Sequence, residues 1–267
     1  MPQITTSDDV PIYFEEHGAG DPLVLVMGLG ADGPVWQAHR EEYEKHFRCI
    51  VIDNRGVGKS GKPQGPYTTE RMALDALEVL DSLGIEKAHA AGISMGGAIV
   101  QQMVLQRPNA IRSAVIIASW ARLNRYGTRV FESLKRQKAH LKPADFMEAI
   151  QILIFAAPHF ERAWDDLQQG LADATANPSP QPLAAFEAQS DACITHDTYA
   201  RLGEITCPTL VVVGEQDIFT PPPFSEEIHA GIKGSELWRV PATGHAVHWE
   251  ALDEFNAKTR DFMLGVC

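Results

Sequence analysis

Short apolar runs alternate with helix-like stretches along most of this chain, and this alternation restricts the possible folds more than any other feature. The apolar runs of strand length lie at residues 23–27, 49–53, 88–93, 114–119, 210–214 and 237–241. Segments with helical periodicity, such as residues 70–83 and 98–106, lie between several of them. Strands that alternate with helices form a largely parallel sheet covered on both faces. The sequence therefore predicts an α/β fold.

The alternation breaks between about residues 121 and 203. This stretch is rich in helix formers and has no convincing strand pattern, and the prolines within residues 177–182 indicate a turn or loop. A chain of 267 residues, of which 45% are hydrophobic, suits one large domain or a domain with an inserted lid. We predict a core formed by residues 1–120 and 204–267 and a helical cap formed by residues 121–203.

The segment Gly92-Ile93-Ser94-Met95-Gly96 matches the pattern G-x-S-x-G. In this pattern the serine stands on a strained turn between a strand and a helix, which exposes its hydroxyl. An apolar run leads into the segment and a helical pattern follows it, so the expected context is present. The N-terminus of that helix favours developing negative charge. We predict that Ser94 is a nucleophile.

A serine hydroxyl is a weak nucleophile until a base takes its proton, and the base needs a carboxylate to fix its tautomer. His245 follows the last apolar run, where a loop can reach the same sheet edge as Ser94. Asp217 lies past the end of the run at residues 210–214, which gives the chain order serine, acid, histidine. Glu215 stays open as an alternative acid, and His248 is the nearest rival base.

Acyl transfer also needs backbone N–H groups that stabilise an oxyanion. The N–H of Met95 directly follows the nucleophile, and the loop Met27-Gly28-Leu29-Gly30 after the first strong run supplies a second candidate, the N–H of Leu29. We call residues 27–30 the Gly28 loop.

The sequence predicts neither a metal nor a cofactor. His245 and His248 lack the spacing of H-E-x-x-H, no cysteines form a CxxC pair, and position 53 lacks the glycine that a phosphate loop ending in Gly58-Lys59-Ser60 requires. Cys49 and Cys207 lie beside apolar runs, and we expect buried free thiols there. The other histidines that stand among charged residues are predicted to be solvated: His39, His46 and His140.

Together these segments resemble the α/β-hydrolase superfamily over essentially the whole chain. The matching segments are residues 27–30, residues 53–60, the Ser94 turn, the Asp217 loop and Gly244-His245. The resemblance implies the α/β-hydrolase fold with an inserted cap, and a structural turn at residues 53–60. Within the superfamily the chain is most similar to enol-lactonases and to the aminoacrylate or carbamate hydrolases. Many relatives carry His-Gly where this chain has Met27-Gly28, so the Gly28 loop lacks a polar anchor.

The resemblance implies a serine hydrolase of the carboxylesterase or lactonase kind that needs no cofactor. The residues expected to line its pocket are Gly28, Trp36, Trp120 and Phe155. Few charges in the cap are placed to pair with a substrate, which favours a small to medium, mainly uncharged molecule. The alternatives are a cofactor-free haloperoxidase or perhydrolase, a C–C bond hydrolase, and a ligand-binding receptor with residual hydrolysis.

The net charge of −12 argues against nucleic acid and membrane surfaces as partners. The polar N-terminus lacks the pattern of a secretory signal, and no apolar run is long enough to span a bilayer. A cytoplasmic enzyme with a small-molecule substrate is therefore expected, and the sequence leaves its oligomeric state open.

Overall fold

An eight-stranded sheet forms the centre of the protein, with the strand order β1-β2-β4-β3-β5-β6-β7-β8. The computed structural model describes residues 2–266. The strands are β1 (Gln3–Thr5), β2 (Pro11–His17), β3 (Asp21–Val26), β4 (Phe47–Ile52), β5 (Ala88–Ile93), β6 (Ile111–Ile117), β7 (Thr209–Gly214) and β8 (Glu236–Val240). From β4 to β8 in this order every neighbouring pair is parallel, while β1 and β2 form an antiparallel edge.

Helices cover both faces of the sheet, which confirms the predicted α/β architecture. The helices are α1 (Gln37–Tyr43), α2 (Thr69–Ser82), α3 (Met95–Gln106), α4 (Arg125–His140), α5 (Pro143–Ile154), α6 (Ala157–Arg162), α7 (Trp164–Ala176), α8 (Leu183–Thr195), α9 (Pro222–Gly231), α10 (Val247–Glu250) and α11 (Leu252–Leu264). Successive side chains of a strand point to opposite faces. On β3, Val24 and Val26 accordingly pack with α2 and α3, and Leu23 and Leu25 pack with α1 and α11.

Helices α4 to α8 lie between β6 and β7, and we call residues 125–195 the helical segment. Within the described residues this stretch adds no strand to the sheet, and an isolated bridge pairs Arg122 with Asp197. Phe131 of α4 and Phe186 of α8 are buried in the same core as α2 and α3. The division into a core and a cap at residues 121 and 203 stays a prediction.

The prediction for His39 was wrong. Its neighbours Arg40 and Glu41 are charged, but His39 points inward from α1, and none of its surface is exposed. The Nδ1 atom of His39 lies 2.6 Å from Asn256 Oδ1 of α11. Burial lowers the pKa of His39 to about 4. Helical periodicity, which places residue 39 on the same side as the buried Tyr43, outweighs the charge of the neighbours.

The other side-chain predictions had mixed outcomes. His46 and His140 are exposed, as expected. Cys49 is a buried free thiol, whereas Cys207, just before the start of β7, is only half-buried. Within residues 2–266, no helix combines the length and the apolar character that crossing a bilayer requires.

Candidate active site

The segments predicted to carry chemistry all follow strands of the parallel sheet. The Gly28 loop follows β3, Ser94 follows β5, Asp217 follows β7 and His245 follows β8. The carboxyl ends of parallel strands lie at one edge, and ligands of open α/β sheets bind outside that edge. The fold therefore brings residues far apart in sequence to one side of the sheet.

Ser94 occupies a strained turn. Its φ of 57° lies in the left-handed region that L-residues rarely adopt. The backbone N–H of Ser94 donates to the carbonyl of Ile117 at 2.8 Å, and Ser119 Oγ donates to the carbonyl of Ser94 at 2.8 Å. These two bonds attach the turn to the end of β6, so the strained conformation is held from outside the turn.

The flanking glycines make this turn possible. A Cβ on Gly92 would lie 2.2 Å from the carbonyl oxygen of Gly96, and a Cβ on Gly96 would lie 2.2 Å from the carbonyl oxygen of Val26. Both distances are far shorter than van der Waals contact, so a side chain at either position would displace the backbone. The strand and the helix can approach this closely only because both residues are glycine.

Asp217 and His245 form a buried pair. Asp217 Oδ2 lies 2.9 Å from His245 Nδ1. The other carboxylate oxygen, Oδ1, accepts hydrogen bonds of 2.8 Å from the N–H groups of Phe219 and Thr220. The carboxylate is therefore fixed by its own loop and orients the imidazole through Nδ1. The ring of Phe219 packs against the imidazole, with centroids 4.6 Å apart.

Thr220 is a site residue that the sequence analysis missed. Its hydroxyl lies 3.0 Å from Asp217 Oδ2, 3.0 Å from His245 Nδ1 and 2.9 Å from the carbonyl of Ala118. The signal in the sequence is weak: a threonine three residues after an aspartate, a spacing at which the aspartate can accept the threonine's N–H. Thr220 ties the acid–base pair to the end of β6, where Ser94 is also attached.

The structure joins the acid to the base but shows no bond to the serine. Within residues 2–266, the hydrogen bonds of the His245 ring are made by Nδ1, and neither His245 Nε2 nor Ser94 Oγ bonds to another residue. A contact between these two atoms therefore stays a prediction.

The Gly28 loop lies directly against Ser94. A Cβ on Gly28 would be 3.3 Å from Ser94 Cβ and 3.8 Å from Ser94 Oγ. Asn54 Nδ2 donates to the carbonyl of Met27 at 2.9 Å and supports the start of the loop. Within the described part of the chain the N–H of Leu29 has no hydrogen-bond partner. The first N–H groups of a helix lack an acceptor within that helix, and Met95 begins α3. Both remain predicted oxyanion donors.

The rival acid and base have other contacts. Glu215 is exposed and lies 3.5 Å from Arg239. His248 is buried on α10, with its ring centroid 5.2 Å from that of His39. Burial, together with His39 and His245 nearby, holds the pKa of His248 well below its ordinary value. Among residues 2–266, no group of three or more histidine, cysteine, aspartate or glutamate side chains could hold a metal ion.

The aromatic residues predicted to line the pocket are all buried. Trp36 packs against His39, with ring centroids 5.3 Å apart, on the face covered by α1 and α11. Trp120 packs against Phe131 at 5.3 Å. Phe155 stacks on His159 at 4.4 Å. Contact of these rings with a substrate stays a prediction.

Comparison with known proteins decides the family. The family model described as the α/β hydrolase fold matches residues 21–252. The chain belongs to the α/β-hydrolase family. This α/β hydrolase is 30% identical over 260 residues to a protein named carbamate hydrolase in Azorhizobium caulinodans, covering 97% of this chain and 96% of that protein. It is 26% identical to a protein named non-heme bromoperoxidase in Mycobacterium tuberculosis, with 96% and 99% of the two chains covered.

Among solved structures, the enol-lactonase from Burkholderia xenovorans LB400 superimposes on this α/β hydrolase with a TM-score of 0.89. The two chains share 24% identity, and the match covers 98% of this chain and 100% of the lactonase. At that identity the likeness concerns the fold. The resemblance to the superfamily and the assignment as a hydrolase are thus confirmed.

Proposed function

We propose that this α/β hydrolase cleaves an ester, lactone or similar acyl bond through a triad of Ser94, His245 and Asp217. The observation that carries the proposal is the buried bond of 2.9 Å between Asp217 Oδ2 and His245 Nδ1. This bond puts the proton of the imidazole on Nδ1 and leaves Nε2 as the basic atom. Ser94, on its strained turn at the same edge of the sheet, is the nucleophile that such a base activates.

The reaction proceeds through an acyl-enzyme. His245 Nε2 takes the hydroxyl proton of Ser94 while Oγ attacks the carbonyl carbon, and Asp217 stabilises the resulting imidazolium. The N–H groups of Leu29 and Met95 hold the oxyanion of the tetrahedral intermediate. The imidazolium then protonates the leaving group. His245 next activates water, which attacks the acyl carbon and releases Ser94.

The substrate we propose is small to medium in size and mainly uncharged. The helical segment acts as the cap over Ser94, and Gly28, Trp36, Trp120 and Phe155 line the acyl site. The relative named carbamate hydrolase supports including carbamates among the acyl bonds tested.

The test is hydrolysis of p-nitrophenyl esters of increasing chain length, simple lactones and aryl carbamates by the wild type and by Ser94→Ala. Wild type should prefer a limited range of chain lengths, and Ser94→Ala should lose turnover while it stays folded. Ser179→Ala changes an exposed serine and is the matched control. A fluorophosphonate should label the wild type and Ser179→Ala at Ser94 only. Full activity in Ser94→Ala would reject the mechanism, and one turnover ending in a stable adduct would favour a receptor.

A peroxide-dependent activity is a second candidate, because the relative named non-heme bromoperoxidase covers nearly the whole chain. Ser94 would attack acetic acid and release water to form the acetyl-enzyme, and hydrogen peroxide would then attack the acetyl carbon in place of water, releasing peracetic acid and Ser94. Formation of peracetic acid from acetate and hydrogen peroxide, lost in Ser94→Ala, would support this activity. If the enzyme hydrolyses esters but forms no peracetic acid, the peroxide-dependent activity is rejected and hydrolysis alone is supported.

A further inference from the structure

Gln189 of α8 connects the helical segment to two loops of the sheet. The side chain is fully buried. Its Oε1 accepts a hydrogen bond of 3.1 Å from the N–H of Gly30, the last residue of the Gly28 loop. Its Nε2 donates a hydrogen bond of 2.8 Å to the carbonyl of Arg55, in the turn that follows β4. One amide therefore bridges the helical segment, the Gly28 loop and this turn.

A second glutamine supports the first. Gln181 Nε2 donates to Gln189 Oε1 at 2.9 Å and to the carbonyl of Gly56 at 3.1 Å. Gln189 Oε1 thus receives two donors while Nε2 meets a carbonyl. These partners fix the orientation of the amide, because a flipped amide would place its NH2 group against donors and its oxygen against a carbonyl. An apolar residue of the same length could fill the space but could make none of these bonds.

Asn54 holds the start of the Gly28 loop and Gln189 holds its end. Met27 has an apolar side chain, so it gives the loop no polar anchor. Gly30 has a φ of 75°. The hydrogen bond that closes this turn, from the Ala31 N–H to the Gly28 carbonyl, is long at 3.5 Å. The N–H of Leu29 belongs to the peptide next to that of Gly30. Holding the Gly30 N–H therefore restricts the direction of the Leu29 N–H.

We propose that Gln189 is a positioning residue for oxyanion stabilisation, through which the helical segment holds the Gly28 loop against Ser94. The inference rests on the proposed function, because it assigns Leu29 N–H to the oxyanion. It implies that Gln189 stabilises the transition state more than the bound substrate. The exact direction of the Leu29 N–H adds little to the binding of a substrate whose carbonyl is still planar. It stabilises a tetrahedral oxyanion much more strongly.

The experiment compares Gln189→Met with wild type, using a p-nitrophenyl ester as substrate and two inhibitors. An alkyl trifluoromethyl ketone forms a tetrahedral adduct with an oxyanion, and the matching unreactive amide mimics the bound substrate. We expect kcat/KM to fall about 10- to 100-fold, less than the roughly 10²–10³-fold cost of removing an oxyanion donor outright. The affinity for the ketone should fall by the same factor, and the affinity for the amide should change less than about twofold.

Ser190→Ala is the matched control. Ser190 is the next residue on α8, is fully buried, and its hydroxyl donates to the carbonyl of Phe186 at 2.8 Å rather than to the Gly28 loop. It should lower the melting temperature while leaving kcat/KM and ketone affinity near wild type. If Gln189→Met does not fold, Gln181→Met at a half-buried position loosens the same amide and should lower both quantities in parallel, by about two- to fivefold.

The outcomes separate the two proposals. A wild type that neither hydrolyses acyl substrates nor reacts with fluorophosphonate at Ser94 would reject the proposed function. A wild type that does both, beside a folded Gln189→Met with unchanged kcat/KM and ketone affinity, would overturn the role of Gln189 alone. Equal losses of ketone and amide affinity would also overturn it, because they would indicate a general disturbance of the pocket.

Discussion

Glu250 Oε1 accepts a hydrogen bond of 2.6 Å from the backbone N–H of Gly244, the residue directly before His245. The same carboxylate accepts a bond of 3.2 Å from the N–H of Ala156, between α5 and α6. Burial raises the pKa of the Glu250 carboxyl above its ordinary value. One short helix, α10, therefore connects the loop of the predicted base to the helical segment.

Glu250→Ala should move His245 because it leaves two backbone N–H groups without their acceptor. We expect kcat/KM for a p-nitrophenyl ester to fall about tenfold and the free energy of unfolding to fall by about 1–3 kcal/mol. Glu250→Gln keeps one acceptor oxygen and should lose less of both. The control is Glu254→Gln, an exposed position on α11. Wild-type rates in Glu250→Ala would show that the loop holds His245 without this carboxylate.

Asp217→Asn tests which carboxylate orients the histidine. An asparagine at this position can present its NH2 group to Nδ1 and so stabilise the wrong tautomer, which lowers kcat by about 10⁴-fold in the well-studied serine triad. We expect a loss of that order in steady-state hydrolysis, with little change in melting temperature. Glu215→Gln, which removes the alternative acid, should retain wild-type kcat. A large loss of kcat in Glu215→Gln beside wild-type kcat in Asp217→Asn would show that Glu215 orients the histidine instead.

Thr220→Val removes a hydroxyl that contacts both members of the acid–base pair. The carbonyl of Ala118 loses a buried donor, so the free energy of unfolding should fall by about 1–3 kcal/mol in urea denaturation. Looser orientation of His245 should lower kcat by roughly five- to tenfold. Thr220→Ser restores the hydroxyl and should recover most of kcat. Wild-type kcat in Thr220→Val beside a loss in Thr220→Ser would show that the methyl group rather than the hydroxyl matters.

Buried neutral histidines should make the protein acid-sensitive. Burial lowers the pKa values of His39 and His89 to about 4 and that of His196 to about 3. Because these values are depressed, the unfolded chain binds more protons than the folded chain below its own histidine pKa of about 6.5. The contribution of these neutral histidines to the free energy of unfolding is fully present above that pH. It is lost as the pH falls toward 4, and for His39 the loss is about 3 kcal/mol.

The measurement is urea denaturation at several pH values between 8 and 4.5, where carboxyl titrations at the acid end affect wild type and variant alike. His39→Gln can still reach Asn256 but does not titrate, so its free energy of unfolding should fall less steeply with acid than that of wild type. Parallel curves for the two proteins would show that His39 contributes nothing to the pH dependence. His140→Gln, on an exposed surface of α4, is the control and should follow wild type.

The parallel part of the fold was predictable because buried parallel strands are continuous apolar runs, as at residues 210–214. Strands β1 and β2 form the antiparallel edge and mix polar with apolar residues at partly exposed positions. No apolar run therefore predicted them. The Ser94 turn was also visible, because its glycines and its strand-to-helix context are local in sequence. Features that depend on neighbouring residues in the chain, such as apolar runs and glycine turns, can be predicted from a single sequence.

Thr220, Gln189 and Glu250 could not be found in this way. Each acts through a backbone or side-chain group from a distant segment, and an isolated threonine, glutamine or glutamate in a sequence does not reveal that partner. The misassignment of His39 is partly of this kind: its periodicity with the buried Tyr43 is local, but its hydrogen-bond partner, Asn256 of α11, is 217 residues away.

The place of β8 at one edge of the sheet, next to β7 and last among the strands, has a consequence for synthesis on the ribosome. Ser94 and its turn emerge early, when the imidazole of His245 has not yet been translated. If His245 is the base that we propose, the Ser94 hydroxyl of the nascent chain is not activated until the final segment docks. On the same proposal, a chain that terminates before residue 245 should not hydrolyse acyl compounds, because it lacks the base.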